Sequence, residues 1–139
     1  MSTAWTTLEL AGIEARRLQP GDDLRSALEE LQLTAGGAAI LTCVGSLSKT
    51  QLRMAGTKHI WLSEEPVEIV SLVGTLSRDG VHLHLSVSLP TGEVIGGHLM
   101  SGTLVRTTAE IVVAHLGGAK LVRRPDLATG FKELCFEER

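Results

Sequence analysis

Tyrosine is absent from this sequence of 139 residues, and aromatic residues of all kinds make up only 3% of it. Hydrophobic residues nevertheless reach 43%, so the core must be built mainly from Leu, Val, Ile and Ala. A chain of this length can bury most of its apolar surface in one core. We therefore expect residues 1–139 to form a single domain.

Cysteine is scarce, since Cys43 and Cys135 are the only two. Two thiols make neither the disulfide framework of a small secreted protein nor the thiolate cluster of a structural zinc site. Cys43 stands inside an apolar run, which favours a buried structural thiol over a ligand role. The pair is typical of free thiols in a cytoplasmic protein.

Long apolar runs and clusters of positive charge are also missing. No segment approaches the ~20 apolar residues that span a bilayer, and the N-terminus has no basic segment followed by an apolar one. The formal net charge is −3, and Arg123-Arg124 is the nearest approach to a basic cluster. These absences predict a cytoplasmic location without membrane binding, and they argue against nucleic-acid binding by this chain.

One segment predicts a helix, and most of the remaining sequence predicts strands. Asp22 or Asp23 can cap this helix, and the apolar residues after them recur at helical spacing. These residues are Leu24, Ala27, Leu28 and Leu31. Later segments are short apolar or alternating runs joined by tight turns, which are typical of strands. In the tail, the residues around Phe131 and Leu134 are compatible with a short turn or helix. The pattern predicts an α+β fold with one main helix near the N-terminus and a mostly antiparallel sheet.

Two of the predicted strands, Val67–Leu76 and Val81–Ser88, flank an Asp-Gly turn that is typical of β-hairpins. In the second strand Val and Leu alternate with His82 and His84, so both imidazoles point to the same face. Their backbones are roughly 7 Å apart, which lets both side chains reach one ion. His98 follows two glycines that permit close approach of another backbone. Spacing alone leaves open whether these histidines bind a metal or are ordinary polar residues of a wet strand face.

Six segments, taken in order, resemble the PPC domain, which plants and prokaryotes share. They are Leu18–Asp23, Leu41–Leu47, Glu68–Leu76, Val81–Ser86, Gly96–Leu99 and Val105–Glu110. The resemblance covers nearly the whole chain and indicates a stand-alone prokaryotic member. It implies a strongly bent, mostly antiparallel sheet, a homotrimer, and kinship of fold with acetolactate decarboxylase, whose zinc is held by histidines.

The resemblance also implies roles for particular residues. His82, His84 and His98 match the family's histidines and are the expected ligands of a divalent metal, with zinc as the expected ion. Three neutral imidazoles leave a fourth position of zinc open for water or substrate, as in catalytic sites. Independently of the resemblance, Arg106 stands among apolar and small residues. It is a candidate for binding an anionic ligand, although pairing with Glu110 or with a neighbouring subunit is the simpler interpretation.

Three functions follow as alternatives. The leading one is a metal-carrying protein that binds a small ligand or a partner through the histidine site. The second is a metal-dependent lyase or hydrolase in which the ion polarises a carbonyl or activates water. The third is DNA binding in transcription, a label that the family often carries. Plant members join the domain to an AT-hook, and no Arg-Gly-Arg core of that kind occurs here, which disfavours minor-groove reading.

Overall fold

The computed structural model describes residues 4–138 and consists mainly of β-strands. The elements in chain order are β1 (Glu9–Leu18), α1 (Leu24–Glu29), β2 (Gly37–Arg53), β3 (Ile60–Ser63), β4 (Val67–Ser77), β5 (Gly80–Ser88), β6 (Val94–Leu99), β7 (Leu104–Gly117), β8 (Lys120–Pro125) and β9 (Lys132–Glu137). Seven strands form one sheet in the order β1-β7-β2-β4-β5-β6, with β3 paired to β2. β8 and β9 pair only with each other.

The predicted α+β fold with one main helix is wrong, because the chain is 62% strand and only 4% helical. The helix does begin as predicted, since the Asp23 carboxylate accepts a hydrogen bond from the Ser26 amide at 3.1 Å. It ends at Glu29 after six residues. Leu24 and Leu28 are buried, whereas Leu31 already lies in the connection to β2. The fold is therefore essentially all-β, and its antiparallel sheet is the part of the prediction that is confirmed.

β2 is the strand around which the sheet turns. Its first part pairs with β7 along one edge and with β4 along the other. Its last residues, Leu52 and Arg53, pair with Leu99 and His98 of β6. Because β6 also pairs with β5, the strands β2, β4, β5 and β6 curl back on one another.

Leucine and valine fill the core, as the composition predicts. On β5 the side chains of Leu83, Leu85 and Val87 are buried, while His82 and His84 on the opposite face are exposed. β4 and β5 join at the pair Ser77–Gly80. The predicted hairpin and its alternation are therefore confirmed.

The two cysteines are free, and Cys43 is buried, as its apolar surroundings predict. Burial, assisted by the negative charge of Glu110, raises the pKa of the Cys43 thiol to about 11. A thiol is an inert group when it stays protonated. Cys43 is therefore a packing residue.

Among residues 4–138, no helix has the length and apolar character needed to cross a bilayer.

The tail forms the hairpin β8–β9, whose strands are joined by a turn over residues 126–131. The predicted short turn is therefore present next to Phe131, whereas the alternative of a helix reaching Leu134 is wrong. Leu134 belongs to β9 and pairs with Arg123 of β8. The Arg123 amide donates a hydrogen bond to the Asp79 carboxylate at 3.0 Å, and Arg124 lies 3.6 Å from the same carboxylate. These contacts fix the hairpin to the turn between β4 and β5.

Candidate metal centre

β5 and β6 bring three imidazole rings together. His82 and His84 are two residues apart on β5, and His98 of β6 lies directly opposite His84 in the strand register. Directly opposed residues of antiparallel strands have neighbouring Cβ atoms, so the register adds the third ring to the first two. The ring centroids are 5.0 Å apart for His82 and His84, 4.5 Å for His84 and His98, and 5.6 Å for His82 and His98.

The three rings are a suitable donor set for a divalent metal. One ring nitrogen of each histidine lies within 4.8 Å of the other two. Two imidazole nitrogens on one tetrahedral zinc ion are roughly 3.4 Å apart, given Zn–N bonds of about 2.0–2.1 Å. Small rotations of the side chains are enough to close that difference, because two of the rings are exposed to solvent.

The surroundings of His82 and His98 favour the neutral ring. Partial burial lowers the pKa of His82, and the positive charge of Arg123 lowers it further. Partial burial and the charge of Arg53 likewise lower the pKa of His98. Neutral imidazole is the form that binds metal ions. At neutral pH an incoming ion would therefore have few protons to displace from these two ligands.

Two of the three histidines, His82 and His84, line a pocket of about 310 Å³. β4 contributes Gly74 and Thr75, β5 contributes His82 and His84, and the hairpin β8–β9 contributes Arg123 and Glu133. The Arg123 guanidinium donates a hydrogen bond to the Thr75 hydroxyl at 2.9 Å. The pocket thus combines potential metal ligands with a fixed cation and a carboxylate.

Two glycines allow the strands to come close together at this site. A Cβ on Gly97 would lie 2.6 Å from the Arg53 carbonyl oxygen of β2, so a side chain there would push β6 and His98 away from β2. Gly74 has a φ of +150°, and a Cβ there would overlap the carbonyl oxygen of His82. The predicted close approach beside His98 is therefore confirmed at Gly97.

Arg106 and Glu110 do not line the pocket of the histidines. Both are exposed residues of β7. Within residues 4–138 no ion pair joins them. A role for either residue in ligand binding or in a subunit interface stays a prediction.

The sequence reasoning missed Arg123 and Glu133. In the sequence Arg123 stands out only as half of the weak basic pair Arg123-Arg124, and no local pattern connects it with His82. A usable signal was present, since the apolar pairs Leu121-Val122 and Cys135-Phe136 stand on either side of a segment with Pro125 and Gly130. That arrangement favours a hairpin, although it does not reveal what the hairpin covers.

Comparison with known proteins identifies the family. The model of the Plants and Prokaryotes Conserved (PCC) domain, the PPC domain of the resemblance, matches residues 13–117. The chain belongs to the PPC domain family. The matched residues include His82, His84 and His98 and end before the hairpin β8–β9.

Relatives of this PPC domain include a much longer bifunctional protein and two proteins of similar length. Bifunctional protein GlmU of Synechococcus sp. (strain JA-3-3Ab) is 45% identical over 124 residues, which cover 88% of this chain and 20% of that protein. The chain thus spans about a fifth of the length of the curated relatives it matches. A hypothetical protein from Salmonella cholerae-suis is 38% identical, with a TM-score of 0.87 and 98% of both chains covered. A metal-containing protein from Archaeoglobus fulgidus is 26% identical, with a TM-score of 0.75, 96% of this chain covered and 99% of that one.

Proposed function

We propose that this PPC domain protein holds one zinc ion on His82, His84 and His98 and binds a small ligand in the adjoining pocket. The observation that carries the proposal is the meeting of three ring nitrogens within 4.8 Å beside a pocket. The metal-containing relative from Archaeoglobus fulgidus supports it.

The surroundings favour a functional ion over a structural one. Structural zinc sites are closed by four protein ligands, whereas three protein ligands leave a position for water or a ligand molecule. His82 and His84 are exposed, so a molecule in the pocket has access to that position. Zinc supplies a Lewis acid there, and the protein supplies the shape and charge of the walls.

Metal analysis of protein without an affinity tag tests the proposal. After equilibration with zinc and removal of the excess, we expect about one ion per chain in the wild type and roughly a tenth of that in the His82→Ala/His84→Ala variant. The control is His59→Ala, which removes an exposed histidine outside the cluster and should keep the wild-type content. Equal zinc in the wild type and the double variant would contradict the proposal.

We also propose that the protein assembles as a homotrimer. The strands β1, β2 and β4 of the large sheet carry apolar side chains that are more than half exposed, among them Ile13, Leu41, Val44 and Val70. Apolar surface on this scale is typical of an interaction site. Light scattering is expected to give about three times the chain mass of 14.8 kDa, and a monomer mass would overturn this part.

The thiols and the net charge bear on the location and the ligand of the protein. Two free thiols suit a reducing compartment, and we propose a cytoplasmic location. A net charge of −3 offers little attraction to phosphate backbones. We therefore propose a small molecule, and not nucleic acid, as the ligand of the site.

A further inference from the structure

Three arginines lie near the three histidines, although one of them, Arg25, also pairs with Glu29 at 3.4 Å. Arg123 lies in the pocket wall together with His82, and Arg53 is the strand partner of His98. Arg25 donates a hydrogen bond to the Leu99 carbonyl oxygen at 2.7 Å, one residue beyond His98. A divalent ion on the histidines would add two further positive charges. The combined field favours an anionic ligand.

The Arg123 guanidinium differs from that of the neighbouring arginine, because among residues 4–138 it forms no ion pair. Arg124 forms ion pairs with Asp79 and Glu137. Within residues 4–138 no carboxylate lies within 4.0 Å of the Arg123 side-chain nitrogens. Its guanidinium has five N–H donors, and the hydrogen bond to Thr75 leaves others to face the pocket. That one bond orients the group without neutralising it.

We propose that Arg123 is the anion-recognition residue of the pocket and that the ligand is a small monocarboxylate held between the guanidinium and the metal. This inference rests on the proposed metal function. The planar guanidinium matches a carboxylate with two parallel hydrogen bonds. A pocket of about 310 Å³ is of the size that suits a small molecule.

Glu133 narrows the class of ligand. Glu133 lines the same pocket as Arg123, so its negative charge repels a dianion more strongly than a monoanion. It also offers an acceptor to a hydroxyl group of the ligand. A hydroxylated monocarboxylate therefore satisfies the metal, Arg123 and Glu133 together.

The two residues come from outside the matched domain. The family model ends at Gly117, whereas Arg123 and Glu133 belong to β8 and β9. Arg123 nevertheless reaches the site, since it lines the same pocket as His82 and His84. The residues that select the ligand thus lie in the hairpin β8–β9, whereas the residues that bind the metal lie in the matched domain.

The test is titration of the cobalt-loaded protein with lactate, propionate and sulfate. Co²⁺ takes the same imidazole ligands as zinc, and its visible absorption changes when a further ligand enters its coordination shell. We expect saturable spectral changes, with lactate tighter than propionate and both tighter than sulfate. Arg123→Gln should weaken lactate binding by about tenfold or more, because a hydrogen-bonded ion pair is lost. Arg123→Lys should fall between this variant and the wild type.

Two further variants separate recognition from misfolding. Lys120→Gln removes a positive charge from the same strand outside the pocket, and it should bind lactate like the wild type. Glu133→Gln should bind sulfate about threefold or more tighter than the wild type does, by relief of like-charge repulsion. A damaged fold would not produce such a gain.

The outcomes distinguish the inference from the proposed function. Cobalt binding to the wild type without any response to anions would overturn the inference and leave the metal site standing. Equal losses in Lys120→Gln and Arg123→Gln would do the same, and tighter binding of sulfate than of lactate would overturn the ligand class. Failure of the wild type to bind cobalt would overturn both. If Arg123→Gln itself loses cobalt, Glu133→Gln decides, and unchanged sulfate affinity in that variant would overturn the inference.

Discussion

Replacing Gly74 by alanine is expected to lower the free energy of unfolding by about 3 kcal/mol. Gly74 has a φ of +150°, and a Cβ there would overlap the His82 carbonyl oxygen across the β4–β5 pair. The overlapping atom belongs to the backbone, so no side-chain rotation relieves the contact. The two strands would have to separate beside a proposed metal ligand, and zinc affinity should therefore fall together with stability.

Urea unfolding of the metal-free protein measures the first effect, and zinc titration measures the second. Gly12→Ala is the matched control. Gly12 lies in β1, and a Cβ there would meet no heavy atom within 4 Å, so its effect should stay within about 0.5 kcal/mol. If Gly74→Ala proved as stable as Gly12→Ala, the close approach of β4 to His82 would be wrong.

Zinc affinity is expected to vary little near neutral pH and to fall by about tenfold or more as the pH decreases from about 6.5 to 5. Metal and protons compete for the same ring nitrogens. Burial and neighbouring positive charges lower the pKa of His82 and of His98 below the usual value of 6.5. Competition at these rings therefore begins only below that value, and it then grows steeply because several ligands take up protons.

The lowered pKa values of His82 and His98 also determine how the stability of the metal-free protein changes with pH. Below pH 6.5 the unfolded chain takes up protons at His82 and His98 before the folded chain does, because the folded pKa values are lower. The contribution of these two groups to folding stability is thus present above pH 6.5 and decreases as the pH falls through the folded pKa values.

Competition with a chromophoric chelator measures how zinc affinity changes with pH, with His59→Ala as control. A decline that begins above pH 7 would show that the ligand pKa values are raised instead.

Local patterns predicted the parts of the fold that depend on local physics. Alternation around His82 and His84 predicted a strand with both rings on one face, and the Asp-Gly pair predicted the turn that precedes it. The pair Asp22-Asp23 predicted the start of the helix, and Asp23 is the residue that caps it. Its length was not predictable, because the recurrence of apolar residues at helical spacing does not show how soon the chain must enter β2.

The candidate site was predictable only in part, for a similar reason. The pairing of His84 with His98 depends on the strand register, which the sequence did not predict. The family resemblance supplied His98 as an expected ligand without that register. Arg123 lies far along the chain from His82, and only the packing of a separate hairpin brings it into the pocket. The residues next to Arg123 in the sequence form no pattern that predicts this contact.

All three histidines belong to the single hairpin of β5 and β6, and this has a consequence for chain entropy. A metal that joins His82 to His98 closes a short loop, which the β5–β6 pairing has already closed. The cost of closing a loop in the unfolded chain grows with its length, so such a crosslink restrains the denatured ensemble far less than one between distant strands. The ion would therefore contribute little to the folding of a sheet that forms without it. It could be exchanged or lost while the protein stays folded.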